Sequence, residues 1–263
     1  MRYLFESLNN IKPLLKDRRL FIFLDYDGTL TPIAEKPGYA LITKRAKNLL
    51  SELSETPRCK LAIISGRSLK DVTRMVGLDN IIYAGNHGLE LKGPQVRFKS
   101  PLTPKHRAVL ENINRLLRGK LRSIKGVLIE NKGLSLSVHY RLVSPENRPL
   151  VKNVFRQAMS AHLQRNEIRI RQGKMVLEVC PPVEWDKGRT VLWLLQNVAF
   201  SNNAPVMPIY IGDDLTDEDA FKLLKDSGLT IFVGRPKKSH AQYYVKGTGD
   251  VLNFLRLIIE MKK

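Results

Sequence analysis

Three apolar segments that end abruptly in polar clusters constrain the fold of this chain more than any other feature. They span 20–24, 61–64 and 207–211, and they run directly into Asp25-Tyr26-Asp27-Gly28-Thr29, Ser65-Gly66-Arg67 and Gly212-Asp213-Asp214. Two weaker examples are 81–84, before Gly85-Asn86-His87, and 230–233, before Gly234-Arg235. Short apolar runs without alternation are typical of strands buried on both faces. We therefore predict a parallel sheet built from these segments.

Helical patterns separate the apolar runs. We predict helices over 43–54, 68–76, 188–199 and 216–225, the last with a capping box formed by Thr216 and Asp219. An amphipathic helix over 3–15 is expected at the start of the chain. Alternation of strand and helix predicts an open α/β sheet with flanking helices.

The polar clusters should converge although they lie far apart in the sequence. Parallel strands end at one edge of an open α/β sheet, and ligands bind at that edge. An Asp-Gly pair after a strand is often a simple turn. Four carboxylates together would repel one another unless a cation lies among them, and oxygen ligands suit Mg²⁺. The predicted magnesium site contains Asp25, Asp27, Asp213 and Asp214.

Charge and composition narrow the class of protein. The 263 residues carry a net charge of +19, and residues 101–180 hold 16 Lys and Arg against 5 Asp and Glu, or +11. Such a balance fits nucleic acid, an anionic substrate or simple solubility. We find no recognition-helix or zinc-finger signature and no aromatic stacking row, so we expect no nucleic-acid partner, although a basic nucleic-acid-binding protein stays the alternative from another class.

The same features give the expected compartment. No apolar run reaches the ~18 residues that a membrane span needs, so no membrane association is expected. The two cysteines, Cys59 and Cys180, show neither metal-ligand spacing nor a disulfide framework. A reducing, cytoplasmic location is expected.

Residues rich in glycine and proline border the middle of the chain, at 92–104 and at 181–182. They predict a discontinuous core, 1–102 and 182–263, with a smaller α/β domain inserted at 103–181. Two proline-bearing joints, at 101–104 and 181–182, suggest that the inserted domain opens and closes. Within it we predict two helices, 104–118 and 146–162, and four strands, 127–130, 134–141, 167–171 and 174–179.

Strand parity in the inserted domain separates two faces. Leu136 and Val138 share the apolar face, and the opposite face carries His139, Arg141, Lys174 and Glu178, joined by Glu130 and Lys132 from a neighbouring strand. From parity alone, plain solvation of this polar face is as good an interpretation as a binding site.

The motifs now form a recognisable set. The segment 25–30 resembles the first motif of the haloacid dehalogenase superfamily of phosphotransferases. Ser65 and Lys187 resemble its second and third motifs, and Gly212-Asp213-Asp214, with Asp217 and Glu218 beyond, resembles its fourth, in the same order. More narrowly, five segments are similar to trehalose-6-phosphate phosphatases: 83–90, 130–133, 135–141, 173–179 and 213–219. The resemblance implies a Rossmann-like core with an α/β cap.

The resemblance also implies a catalytic or binding role for individual residues. Asp25 would be the nucleophile that forms an aspartyl-phosphate, and Asp27 would protonate the leaving sugar oxygen and then activate water. Ser65 and Lys187 would hold phosphate oxygens. Mg²⁺ would be bound by Asp25, the Asp27 carbonyl and Asp213, with Asp214 assisting.

The remaining assignments concern the substrate. Substrate binding is assigned to Gly66, Arg67, Asn86 and His87 in the core and to Glu130, Lys132, Arg141, Lys174 and Glu178 in the cap. The expected substrate is trehalose 6-phosphate, with sucrose phosphate or mannosyl-phosphoglycerate as alternatives within the superfamily. A functional link to a separate trehalose-6-phosphate synthase is also expected.

Overall fold

A computed structural model of the chain describes residues 1–100, 103–198, 200 and 205–263. It divides into two compact units: Met1–Lys99 with Trp185–Lys263, and Ser100–Glu184. Each joint differs by three residues from the sequence-based boundary, at 99 against 102 and at 185 against 182. Residues 101 and 102 of the first predicted joint, and residue 199 at the end of a predicted helix, lie outside the described residues.

The described residues form thirteen strands and eight α-helices, numbered in chain order. The strands are β1 Arg2–Tyr3, β2 Arg19–Leu24, β3 Cys59–Ile64, β4 Ile82–Gly85, β5 Glu90–Gly93, β6 Val96–Lys99, β7 Leu128–Asn131, β8 Leu136–His139, β9 Arg169–Gly173, β10 Val176–Cys180, β11 Val206–Gly212, β12 Leu229–Val233 and β13 Tyr243–Val245. The helices are α1 Leu8–Lys16, α2 Lys44–Glu55, α3 Leu69–Val76, α4 Pro104–Leu121, α5 Arg148–Gln164, α6 Lys187–Asn197, α7 Glu218–Leu224 and α8 Thr248–Lys262.

The first unit is built on a nine-stranded sheet in the order β1-β13-β12-β11-β2-β3-β4-β5-β6. The strands from β1 to β4 in this order pair in parallel, whereas β5 and β6 add an antiparallel edge. The predicted parallel sheet is therefore confirmed. The three apolar runs with the sharpest polar endings form the adjacent strands β11, β2 and β3, which brings their carboxyl ends together.

Alternate side chains of β2 explain why this segment is apolar throughout. Ile22 and Leu24 are buried in a core that includes residues of α1, α2, α3 and α8, whereas Phe21 and Phe23 are buried in a second core with residues of α6 and α7. A strand covered by helices on both faces has no position for a polar side chain. This packing fixes β2 in the middle of the sheet.

The structure corrects the sequence-based predictions in three places. Residues 90–99, of which 92–99 were interpreted as part of the glycine- and proline-rich border, form the β5–β6 hairpin, and Leu91 and Val96 are buried in the second core. The expected helix at 3–15 begins with β1 and a 3-10 turn before α1. The capping box joins Asp214 and Asp217, not Thr216 and Asp219, because a 3-10 turn precedes α7.

The second unit contains an antiparallel sheet in the order β7-β8-β10-β9 together with α4 and α5. Leu136, Val138, Leu177 and Val179 share one face of the sheet and are buried. The register places Glu130, Ser137, Glu178 and Arg171 in one row across the opposite face. The predicted separation into an apolar and a polar face is confirmed for Glu130, His139 and Glu178, whereas Arg141 and Lys174, expected on strands of the polar face, lie in turns.

None of the helices in the described ranges combines the length and the apolar composition that a membrane crossing requires. The two cysteines are buried free thiols.

Candidate active site

A buried lysine and three carboxylates meet at the carboxyl edge of the core sheet. The Lys187 ammonium donates hydrogen bonds to Asp25 at 2.7 Å and to Asp217 at 2.8 Å. Carboxylate oxygens of Asp25, Asp213 and Asp217 lie within 4.8 Å of one another, and we call these three residues the carboxylate cluster. The Lys187 side chain is only 3% exposed, so these contacts are made away from bulk water.

Strand ends and a helix start determine the positions of Asp25 and Lys187. Asp25 directly follows β2, and its amide donates to the carbonyl of Ile211 at the end of β11. Lys187 is the first residue of α6, whose start is fixed by the Asp186 side chain accepting from the amide of Arg189. The strand ends and the helix start therefore bring residues 162 positions apart into hydrogen-bonding contact.

The sequence placed Asp217 in the fourth motif, but no role was predicted for it. It is fully buried, and it accepts from the Tyr210 hydroxyl at 2.7 Å and from the amides of Asp213 and Asp214 at 2.9 Å each, in addition to Lys187. An Asp three positions after a capping Asp is a capping-box signature, and this spacing could have identified the structural role of Asp217. Asp217 holds both the lysine and the backbone that carries Asp213.

Glycines at two positions let the carboxylates approach the backbone. A Cβ at Gly28, whose φ is +84°, would lie 2.1 Å from an oxygen of Asp213. A Cβ at Gly212 would lie 2.3 Å from the carboxyl carbon of Asp217. Any larger residue at either position would displace a member of the carboxylate cluster.

Electrostatics indicate that this cluster fits a cation. Burial raises the pKa of the Asp25 carboxyl well above its usual value, against the opposing effect of the Lys187 ammonium. Burial would lower the pKa of Lys187, but the carboxylates of Asp217 and Asp25 outweigh it and raise that pKa. With all three carboxylates ionised and Lys187 protonated, these four side chains would carry a net charge of −2. A divalent cation with oxygen ligands would offset them.

The structure places Asp27 and Asp214 outside the carboxylate cluster. Both oxygens of Asp27 accept from the Arg67 guanidinium at 2.6 Å. The Asp214 side chain accepts from the amide of Leu215 and caps the 3-10 turn. Their predicted contributions to metal binding stay predictions.

The loops after β3 and β4 are joined by backbone hydrogen bonds. The amides of Asn86 and His87 donate to the carbonyls of Arg67 and Ser65, at 2.7 and 2.9 Å. Both Asn86 and His87 have positive φ, 49° and 57°. A Cβ at Gly66 would lie 2.7 Å from the His87 ring. The structure thus brings Ser65, Gly66, Arg67, Asn86 and His87 together, as expected of strand ends.

On the polar face of the second unit, Glu178 accepts several hydrogen bonds. One of its oxygens accepts from Lys132 at 2.7 Å, Ser135 at 3.1 Å and Ser137 at 3.2 Å. Glu178 is only 5% exposed. Burial would lower the pKa of Lys132, but the carboxylates of Glu178 and Glu130 outweigh it and raise that pKa. This is a preformed ion pair, not a freely solvated surface.

The other predicted residues of this unit also have partners. His139 Nε2 lies 2.9 Å from an oxygen of Glu130, and Arg141 donates to the backbone carbonyl of Lys174 at 2.9 Å. The part played by His139, Ser135 and Ser137 in orienting the carboxylates was not predicted, because parity shows which face a residue shares but not its bonding partner.

Comparisons with known proteins place the chain in one family. The profile of the family described as trehalose-phosphatase matches residues 23–248. The chain belongs to the trehalose-phosphatase family. The predicted family is thereby confirmed, and the predicted haloacid dehalogenase fold is confirmed by similarity to solved trehalose-6-phosphate phosphatase structures.

Individual relatives agree with that membership. The chain is 36% identical over 260 residues to "Probable trehalose-phosphate phosphatase D" of Arabidopsis thaliana, covering 94% of this chain and 69% of that protein. It is 40% identical over 217 residues to "Trehalose-phosphate phosphatase" of Mycobacterium bovis, covering 82% and 54%. The trehalose-6-phosphate phosphatase C-terminal domain of C. albicans superposes with a TM-score of 0.82 at 25% identity, covering 96% and 98% of the two chains.

The role of Asp217 within this trehalose-phosphatase fold leads to a stability prediction. Asp217→Asn leaves the buried Lys187 with one carboxylate fewer, so we expect the free energy of unfolding to fall by about 3–5 kcal/mol. Tyr210→Phe is the matched control, because it removes one hydrogen bond to the same carboxylate and should cost about 1.5–3 kcal/mol. Urea unfolding of both variants measures the difference. Equal, small losses would contradict the assignment of Asp217 as the residue that holds the site together.

Proposed function

We propose that this chain hydrolyses trehalose 6-phosphate to trehalose and phosphate through an aspartyl-phosphate on Asp25. The observation that carries the proposal is the buried Lys187–Asp25 ion pair at the carboxyl edge of the core sheet, in a chain of the trehalose-phosphatase family. The names of the relatives supply the substrate, and the site supplies the chemistry.

The first half of the proposed reaction transfers the phosphoryl group. A carboxylate oxygen of Asp25 forms a bond to phosphorus while the bond from phosphorus to the sugar oxygen breaks. Asp27 gives a proton to that sugar oxygen, which leaves as a hydroxyl group. Lys187 holds the Asp25 carboxylate in place and supplies positive charge for the phosphoryl oxygens.

The second half releases phosphate. A water oxygen attacks phosphorus and the bond to Asp25 breaks, so that the electron pair returns to the carboxylate. Asp27 takes the proton from the water. Ser65, buried at the end of β3, would hold a phosphoryl oxygen in both halves.

A divalent cation, which we propose to be Mg²⁺, would be held by Asp25, Asp213 and the Asp27 carbonyl, with Asp214 nearby. When bound, it supplies positive charge for the phosphoryl oxygens as the bonds change. Asp217 already accepts four hydrogen bonds and would hold Lys187 and the backbone of Asp213 and Asp214 in position for this site.

The polar face of the second unit would recognise the sugar. The ion pair of Lys132 with Glu178 and the contact of His139 with Glu130 present donors and acceptors in fixed positions. Such groups match paired sugar hydroxyls. We propose this unit, with its joints at residues 99–100 and 184–185, as the substrate-specificity cap that the sequence suggested.

Several sequence-based expectations stay as predictions. They are a cytoplasmic location, no nucleic-acid or membrane partner, and a functional link to a trehalose-6-phosphate synthase.

The substrate assignment is tested by comparing two substrates. Wild-type enzyme should release phosphate faster from trehalose 6-phosphate than from sucrose phosphate or mannosyl-phosphoglycerate. Glu178→Ala removes contacts remote from phosphorus, so kcat/KM for trehalose 6-phosphate should fall by about one to two decades, as expected for a lost charged hydrogen bond. A small synthetic phosphate ester has no sugar and should be affected far less. Thermal melting controls for folding, and an unchanged ratio of the two kcat/KM values would refute a sugar-binding role for Glu178.

The metal assignment is tested by ligand-induced stabilisation, which does not depend on turnover. Mg²⁺ at about 100 times its dissociation constant should stabilise the wild type by about 2.7 kcal/mol. Asp213→Asn should lose most of this gain, because a cluster oxygen is replaced by an amide. Asp214→Asn is the matched neighbour, and since Asn also caps helical turns well it should retain most of the gain. Full Mg²⁺ stabilisation of Asp213→Asn would show that the cation binds elsewhere.

A further inference from the structure

Arg67 is held in one position by three separate contacts. Its guanidinium donates in parallel to the two oxygens of Asp27, through Nε and Nη2, at 2.6 Å each. It also lies over the ring of Tyr26, 5.3 Å from the centroid. Tyr26 is itself buried and donates its hydroxyl to the carbonyl of Ala40 at 2.7 Å. The side chain of Arg67 is only 11% exposed.

The backbone of Arg67 is fixed as well. Its amide donates to the Ser65 hydroxyl oxygen at 3.2 Å, and its carbonyl accepts from the amide of Asn86 at 2.7 Å. The direction of the guanidinium fork is therefore set by the loops after β2, β3 and β4. A planar fork with two parallel donors fixes both the place and the plane of a carboxylate, which a lysine ammonium does not do.

From this geometry we propose that Arg67 is a positioning residue for Asp27 and acts mainly in the second half of the reaction, in addition to the substrate contact that the sequence suggested. The inference rests on the proposed aspartyl-phosphate mechanism. In that half, Asp27 must be an oriented carboxylate when water attacks phosphorus. The bidentate pair fixes the place and plane of both carboxylate oxygens, and each oxygen keeps a lone pair that can accept the proton of the water.

The two halves of the reaction should therefore respond differently to loss of the fork. The first half delivers a proton from Asp27 to the leaving group, and an activated ester such as p-nitrophenyl phosphate does not need it, because nitrophenolate leaves unprotonated. The second half is the same for every substrate, since the sugar or phenol has already left. With the activated ester, removal of Arg67 should slow only the release of phosphate.

The experiment is rapid-mixing kinetics of Arg67→Ala with p-nitrophenyl phosphate. We expect a burst of nitrophenolate that approaches one per enzyme, followed by a steady rate reduced roughly 10–100-fold, as for a misplaced catalytic group. Phosphate bound covalently to acid-quenched protein should rise in parallel. Added guanidinium ion at a non-denaturing concentration should speed the second phase, whereas Arg67→Lys should resemble Arg67→Ala.

Arg74→Ala is the matched control. Arg74 also pairs with an aspartate, Asp71 at 3.0 Å, but its side chain is 73% exposed on α3. Its removal should leave both phases unchanged, and thermal melting of every variant checks folding.

Two outcomes would overturn the inference and are distinguishable. If a folded Arg67→Ala or Arg67→Lys protein loses nitrophenolate formation without a burst, Arg67 serves substrate binding or the first half alone. If a folded Asp25→Asn protein still turns over, the covalent mechanism itself fails, and the role of Arg67 in positioning Asp27 for the second half fails with it.

Discussion

The ion pair between the Lys187 ammonium and the carboxylates of Asp25 and Asp217 is the interaction on which the site depends. Taking charged groups out of water costs several kcal/mol per ion, and removing one partner of a buried pair is strongly destabilising. The fold meets that cost with further hydrogen bonds to Asp217, from a buried tyrosine and from two backbone amides. The proposed nucleophile, Asp25, is thus held by a network centred on Asp217.

The parallel sheet makes this network possible. Because β2 lies between β3 and β11, the residues that follow these strands are neighbours in space, although more than a hundred positions separate some of them. Helices on both faces favour apolar strands, so the charged groups of the site lie beyond the strand ends. The packing of the core and the position of the chemistry therefore have one physical origin, and glycine at 28 and 212 keeps space for the carboxylates.

The direction of the parallel strands explains which parts of the fold and of the site could be predicted from the sequence. Apolar runs ending in Asp25, Ser65 and Asp213 predicted both the sheet and the convergence at its edge, because strand direction alone determines it. The sequence did not show that Asp217 anchors Lys187, since this depends on a 3-10 turn before α7. Nor did it pair Arg67 with Asp27, because periodicity shows where a side chain begins but not its partner. The β5–β6 hairpin was missed because Gly93 and Pro94 occur in tight turns as well as in linkers.

Direct chemical detection of the phosphorylated residue tests the central claim that Asp25 is the nucleophile. The enzyme would be quenched during turnover of trehalose 6-phosphate and treated with borohydride, which reduces an acyl phosphate to an alcohol and converts the aspartate to homoserine. Peptide mass spectrometry would then locate homoserine. We predict homoserine at position 25 and at no other aspartate. Homoserine at position 213 or 217, or its absence from position 25 while phosphate is still being released, would contradict the assignment of Asp25.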